Sequence, residues 1–167
     1  IAIGLESSND AILELPNKQM TARGARDAIS SWIARDIDVR AFVMIKPPSP
    51  DSRSSWKEST LKSISDALDW GVRHVSLIPT RATWGLLQEW EAAGLYTPPT
   101  ALDVEHIAIA CDLLQSDNQS TSIDLWDWEL LAGHCEECSG PRKERLEHWN
   151  ETGRLESSMP TCDNCLS

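Results

Sequence analysis

Apolar positions along this chain switch period several times, from runs suited to strands to the three- and four-residue spacing of helices. Residues 1–5 (Ile-Ala-Ile-Gly-Leu) form a short apolar run that stops at Glu6. Asn9 is placed to cap a short helix carrying Ile12, Leu13 and Leu15, ended by Pro16. Residues 21–36 predict a full helix with Ala25, Ala28, Ile29, Trp32 and Ile33 on one face. Residues 39–45 are apolar on both faces, as a buried parallel strand should be, and Lys46-Pro47-Pro48 ends them. A second long helix is predicted over residues 54–70, with Leu61, Ile64, Ala67 and Leu68 inward and Gly71 as its left-handed stop. Residues 74–78 read as a third strand and residues 84–93 as a helix ended by Gly94. Thr100 caps a further helix to about Leu114, and residues 122–126 predict a weaker fourth strand.

Strand onsets near residues 1, 39, 74 and 122 leave room in each interval for a helical crossover. Such units build a parallel sheet, so the fold class is α/β. Periodicity does not separate an open doubly wound sheet from a segment of a barrel.

The C-terminal stretch changes the picture. Two Cys-x-x-Cys pairs, Cys135/Cys138 and Cys162/Cys165, each put two thiolates on one tight turn. Between them residues 141–150 predict a helix, followed by a polar return that can bring the second pair back beside the first. Four ligands with no open position suit a structural metal site. Two disulfides are the competing reading, but they rarely arrive as two such pairs. Thiolate tetrads suit zinc and iron–sulfur clusters alike, and the spacing favours Zn²⁺. His134 and His148 lie close enough to substitute, although four cysteines leave them no vacancy. Cys111 sits in an apolar helical pattern and reads as a small core residue.

At 167 residues and 41% apolar content the chain fits one domain with a small appendage. The expected division is residues 1–131 for the sheet and its extension, and residues 132–167 for a metal-binding tail of four cysteines. No run approaches the ~20 apolar residues of a membrane span, and residues 1–5 lack the charged flank of a signal peptide. A cytoplasmic location without membrane contact is expected. The missing initiator Met suggests a piece of a longer protein. A net charge of −11 argues against broad electrostatic gripping of nucleic acid. The best basic cluster, Arg142, Lys143 and Arg145, is diluted by Glu144 and Glu147. Eight tryptophans fall mostly on apolar helical positions, which points to core packing.

In parallel α/β folds the working groups project from the carboxyl ends of the strands. Those ends carry Glu6, Lys46, Thr80-Arg81 and Asp127. Glu6 is suited to accept hydrogen bonds from an ammonium or sugar hydroxyls, and Arg81 to clamp a carboxylate with two parallel donors. Ordinary paired loop charges are the plain alternative. No phosphate loop, dinucleotide fingerprint, nucleophile elbow or His-Glu-x-x-His helix appears.

The strand ends nevertheless resemble a known family. Gly4-Leu5-Glu6-Ser7-Ser8-Asn9-Asp10, with Leu13 and Asn17-Lys18 following, looks like the stretch around the fourth strand of radical S-adenosylmethionine enzymes. Residues 41–48 are similar to their fifth strand. Val75-Ser76-Leu77-Ile78-Pro79-Thr80-Arg81 resembles the sixth strand of a poorly characterised bacterial branch, as do Asp124-Leu125-Trp126-Asp127 and the cysteine tail. A distant archaeal relative of that branch acts in maturing a modified tRNA base, so RNA is one candidate substrate.

The resemblance implies the second half of a partial (β/α)6 TIM-like barrel. It further implies that Glu6 faces the ribose or amino group of S-adenosylmethionine and that the strand around Ser76 passes its adenine. Lys46 and Arg81 are the remaining cofactor-binding candidates. The Cys-x-x-x-Cys-x-x-Cys loop that holds the reducing [4Fe-4S] cluster in this family is absent from the chain. The expectation is therefore a parent oxidoreductase that generates a 5′-deoxyadenosyl radical, and a segment that is inert alone and self-associates through its exposed first strand. The tail cysteines would hold zinc or an auxiliary cluster. A noncatalytic zinc-bearing interaction module is the alternative reading.

Overall fold

The computed structural model describes residues 1–15, 18–49, 55–82, 85–114, 116–133 and 135–155. Four strands, β1 (Ala2–Glu6), β2 (Arg40–Ile45), β3 (His74–Pro79) and β4 (Ser120–Ile123), form one sheet in sequence order. All three pairings are parallel. The fold class is α/β, with the neighbour-to-neighbour strand order of a barrel segment; a doubly wound sheet would reverse direction partway.

Six α-helices accompany the sheet among the described residues: α1 (Asp10–Glu14), α2 (Ala22–Ile33), α3 (Trp56–Asp69), α4 (Leu86–Ala92), α5 (Ala101–Asp112) and α6 (Ser139–Thr152). Their ends follow local chemistry. The Asn9 side chain accepts the Ala11 N–H at 3.0 Å, starting α1. Thr100 and Asp103 exchange side-chain-to-backbone hydrogen bonds as a capping box at the head of α5. Gly71 takes φ +92 directly after α3, and a Cβ there would lie 2.8 Å from Ile33 Cδ1, so this turn requires glycine.

The core lies on one face of the sheet. Ala41, Val43 and Ile45 of β2 and Val75 and Leu77 of β3 are fully buried, together with Ile29 of α2, Ile64 of α3, Ile107 of α5 and Trp149 of α6. The alternate residues tell a different story: Arg40 is exposed, and Phe42 and Met44 are only half-buried. Strand β2, whose sequence predicts burial on both sides, is covered on one. The reason is that α2, α3, α5 and α6 all pack on the same face among the described residues.

Strand β4 begins two residues earlier than the apolar pattern suggests. The Ser120 and Ser122 hydroxyls are pulled into the sheet by His74, at 2.7 and 2.9 Å from its two ring nitrogens. Asn150 of α6 then ends the strand. Its amide accepts the Ile123 N–H and donates to the Ile123 carbonyl, each at 2.8 Å, as a neighbouring peptide would. Trp126, expected within the strand, is 75% exposed.

Helix α6 joins the same core through Leu146 and Trp149. A buried ion cluster also ties it to α5: Arg142 Nη1 lies 2.6 Å and Arg145 Nη1 3.3 Å from the two oxygens of Glu105. Burial pushes the Glu105 carboxyl upward, and the two guanidiniums pull it back. The basic cluster of the sequence is thus largely spent inside the protein. Cys111 is buried, with its thiol pushed up to about 12 by desolvation, as an inert core residue should be. Among the described residues no helix is long and apolar enough to cross a membrane.

Candidate functional site

A cavity of about 540 Å³ opens at the carboxyl end of the sheet. Glu6 and Arg81, predicted from opposite ends of the chain's first half, both line it, and Asp127 joins them. Met44 from the uncovered sheet face, Ile12 of α1 and Leu87 and Trp90 of α4 supply apolar walls. An apolar chamber with few convergent polar groups is the usual form of a small-ligand site.

Backbone strain is concentrated at this rim. Among the described residues four non-glycine residues have positive φ; three of them are Glu6 (62°), the last residue of β1, Lys46 (55°), directly after β2, and Asp127 (55°), in the turn beyond β4. A left-handed backbone at such residues costs on the order of 1–3 kcal/mol each and persists where the surroundings over-determine it. At Glu6 the cause is visible. The β1–β2 register slips between Gly4 and Glu6, so Leu5 turns into the core while the Glu6 carboxylate folds back over Gly4. There it pairs with Lys18. A Cβ on Gly4 would sit 2.9 Å from Glu6 Oε1 and 3.0 Å from Lys18 Nζ, so an added methyl would displace the tips of both side chains.

Arg81 is held from the β4 side. One Nη donates to the Trp126 carbonyl, and the other lies 3.7 Å from Asp124 Oδ2. Asp124 is itself fixed by accepting the Trp126 N–H at 2.9 Å. The buried Nε of Arg81 has no hydrogen-bond partner among the described residues. That N–H is a donor left over after the loop has been tied down.

Lys46 and Ser76 sit elsewhere. The Lys46 ammonium lies 3.2 Å from Asp103, 3.3 Å from the Pro98 carbonyl and 5.2 Å from the Trp56 ring centroid, on the helix side. Its backbone is anchored as well, since the Lys46 N–H donates to Thr60 and its carbonyl accepts from Tyr96. Burial raises the Tyr96 phenol well above its ordinary range, keeping that donor protonated. Ser76 is buried on the uncovered face, accepting from Arg40 Nε at 2.7 Å. Neither residue lines the cavity. Conversely, Lys18, Asp124 and the apolar wall carry no site role in the sequence alone. The spacing of Lys18 after the short helix is the available signal; nothing in the sequence singles out Asp124 as the brace of Arg81.

Of the four tail cysteines, Cys135 and Cys138 are described. The Cys135 carbonyl accepts the N–H groups of Cys138 at 3.2 Å and Ser139 at 2.9 Å, a tight turn leading into α6. Cys138 is buried and Cys135 half-buried. Cys162 and Cys165 lie outside the described residues. No cluster of three or more metal-binding side chains occurs among the described residues.

No protein-family model and no curated protein matches this chain. A solved structure does: the archaeal Methanocaldococcus infernus Elp3 with an N-terminal deletion, at 16% identity and a TM-score of 0.66. The match covers 93% of this chain and 41% of that one. At that identity the likeness is one of fold, and the fold is that of a partial, TIM-like barrel.

Proposed function

We propose that this chain forms the second half of a radical S-adenosylmethionine-type barrel and that its carboxyl-end cavity takes the sulfonium cofactor. The observation that carries the reading is the joint placement of Glu6 and Arg81 on one cavity, in a fold similar to that of a radical S-adenosylmethionine family member. At about 540 Å³ the cavity falls within the roughly 300–1,000 Å³ of small-ligand sites.

The residues present suit such a ligand. Glu6 is the acceptor for its amino group or ribose hydroxyls, with Lys18 as the standing counter-ion that the ligand's ammonium displaces or a ligand carboxylate engages. Arg81 supplies the positive charge on the cavity wall that a ligand carboxylate would meet. The wall of Met44, Leu87 and Trp90 keeps water from the adenosyl portion. Ser76 and Lys46 act one step back, by holding the sheet floor and the end of β2.

When bound, an adjacent reduced iron–sulfur cluster supplies the electron that cleaves such a cofactor to a 5′-deoxyadenosyl radical. Residues 1–167 contain no Cys-x-x-x-Cys-x-x-Cys loop for that cluster. The chain by itself is therefore expected to bind without turnover. The cysteine pairs are proposed to close one structural Zn²⁺ site, with an auxiliary cluster as the alternative outcome of elemental analysis. The best basic cluster of the sequence is not offered to an RNA substrate, since Arg142 and Arg145 are committed to Glu105.

Calorimetric titration with S-adenosylmethionine tests the assignment. Saturable binding is expected, weakened about tenfold or more in Arg81→Ala and in Glu6→Gln, each of which removes a charge-assisted contact. Absence of binding, or affinity in both variants unchanged from the parent, would favour the zinc-bearing interaction module instead.

A further inference from the structure

At the other end of the uncovered sheet face lies a polar constellation that the cavity does not use. Arg40, His74 and Ser120 occupy one level of the sheet, with Phe42, Ser76 and Ser122 on the next. Their side chains form one connected chain. Arg40 Nε donates to Ser76 Oγ at 2.7 Å, Ser76 Oγ lies 3.4 Å from Ser122 Oγ, and Ser122 Oγ lies 2.9 Å from His74 Nε2. His74 Nδ1 completes it, 2.7 Å from Ser120 Oγ.

A guanidinium only donates, so the first bond has a fixed direction: Ser76 accepts from Arg40. The serine–serine and serine–histidine contacts can run either way, with the hydrogens following the imidazole tautomer. Burial together with the Arg40 charge holds the His74 imidazole below its ordinary value, which favours a neutral ring with one donor and one acceptor nitrogen. The chain thus begins with a cation and continues through hydroxyls able to donate.

Arg40 is the one Lys or Arg on the four described strands, in a chain whose net charge is −11. Its guanidinium stands 5.2 Å from the Phe42 ring centroid and meets no carboxylate among the described residues. The Ser76 bond and the ring fix the guanidinium plane while both terminal nitrogens remain available. A rigid fork of that kind matches an oxyanion with two parallel hydrogen bonds.

We infer that the uncovered face carries an oxyanion site, with Arg40 as its charged anchor and the neighbouring serine–histidine chain as adjustable donors, for a phosphate or carboxylate group. The site stands apart from the cofactor cavity and does not depend on that assignment. A ligand or covering segment that closes over this face would place its anionic group on Arg40.

The His74 ring is a built-in reporter, because an anion on Arg40 cancels part of the field that disfavours its protonation. Imidazole NMR spectra of the chain would be followed against pH with inorganic phosphate, with acetate, and with sodium chloride at matched ionic strength. The expected result is a saturable response of His74, with its titration moved upward, by phosphate or acetate but not chloride, while His106 stays unchanged. Arg40→Lys should retain weakened binding and Arg40→Gln should weaken it by about tenfold or more. A response to phosphate alone assigns a phosphate-bearing ligand, and one to acetate alone assigns a carboxylate. If His74 responds no differently from the chloride control, or Arg40→Gln binds as well as the parent, the site does not exist. Should Arg40→Gln fail to fold, the parent's three-salt comparison decides the matter by itself.

Discussion

The two faces of this sheet are built from alternate residues of the same four strands, and they obey different chemistry. One face carries Ala41, Val43, Ile45, Val75 and Leu77 under a layer of helices and is dry. The other carries Arg40, Phe42, His74, Ser76 and Ser122 toward its amino end, and Met44 and the Glu6–Arg81 cavity toward its carboxyl end. Parallel sheets elsewhere are apolar on both sides because helices cover both. Here the second face carries polar contacts and an open cavity, and on the proposed reading recognition belongs to that side and stability to the other.

The sharpest way to break that comparison is to cut equivalent methyl groups from each face. Ile45→Ala, on the dry side, should cost about 2–5 kcal/mol in urea denaturation. Met44→Ala, the adjacent residue on the other side, should cost well under half as much and instead weaken ligand binding. Equal losses at both positions would mean the second face is covered after all. A comparably large loss, about 3–5 kcal/mol, is expected for Glu105→Ala, which removes the buried carboxylate that both guanidiniums meet.

Smaller effects probe the polar face. Ser122→Ala interrupts the chain between Ser76 and His74 and should cost about 1 kcal/mol. The pH dependence has a defined sign. The His74 pKa is lowered in the folded state, so the neutral ring's contribution is present above the unfolded value of 6.5 and is lost as pH falls through the lower folded value. The denaturation midpoint should therefore drop on acidification below 6.5, by less in His74→Asn than in the parent. Gly4→Ala is expected to disturb stability little and the Glu6–Lys18 pair strongly, read as weaker binding of S-adenosylmethionine. The bare outer edge of β1, unpaired among the described residues, should give concentration-dependent sedimentation.

Much of this was legible in the sequence because period and capping residues act locally. Asn9 and Thr100 announced the starts of α1 and α5, and each side chain makes the capping bond; Thr21, read as the first helical residue, caps α2 in the same way. Gly71 and Gly153 mark turns of positive φ after α3 and α6. The rim positions of Glu6 and Arg81 followed from topology alone. Partner choice did not. Lys46 looked like Glu6 and Arg81 in sequence, yet Asp103, distant in the chain, draws it to the helix side. The start of β4 was hidden because Ser120 and Ser122 are polar and owe their strand conformation to His74. Sequence spacing carries no information on which of several charges will meet.

Glu6 and Arg81 bounding one cofactor chamber is the central claim, and the methionine methyl spectrum tests it most directly. The chain has three methionines; Met44 lines the cavity and Met20 lies outside it. On titration with S-adenosylmethionine the account predicts a saturable shift of the Met44 methyl signal with Met20 unmoved, and its loss in Arg81→Ala. An unshifted Met44, or an identical shift in that variant, would contradict it.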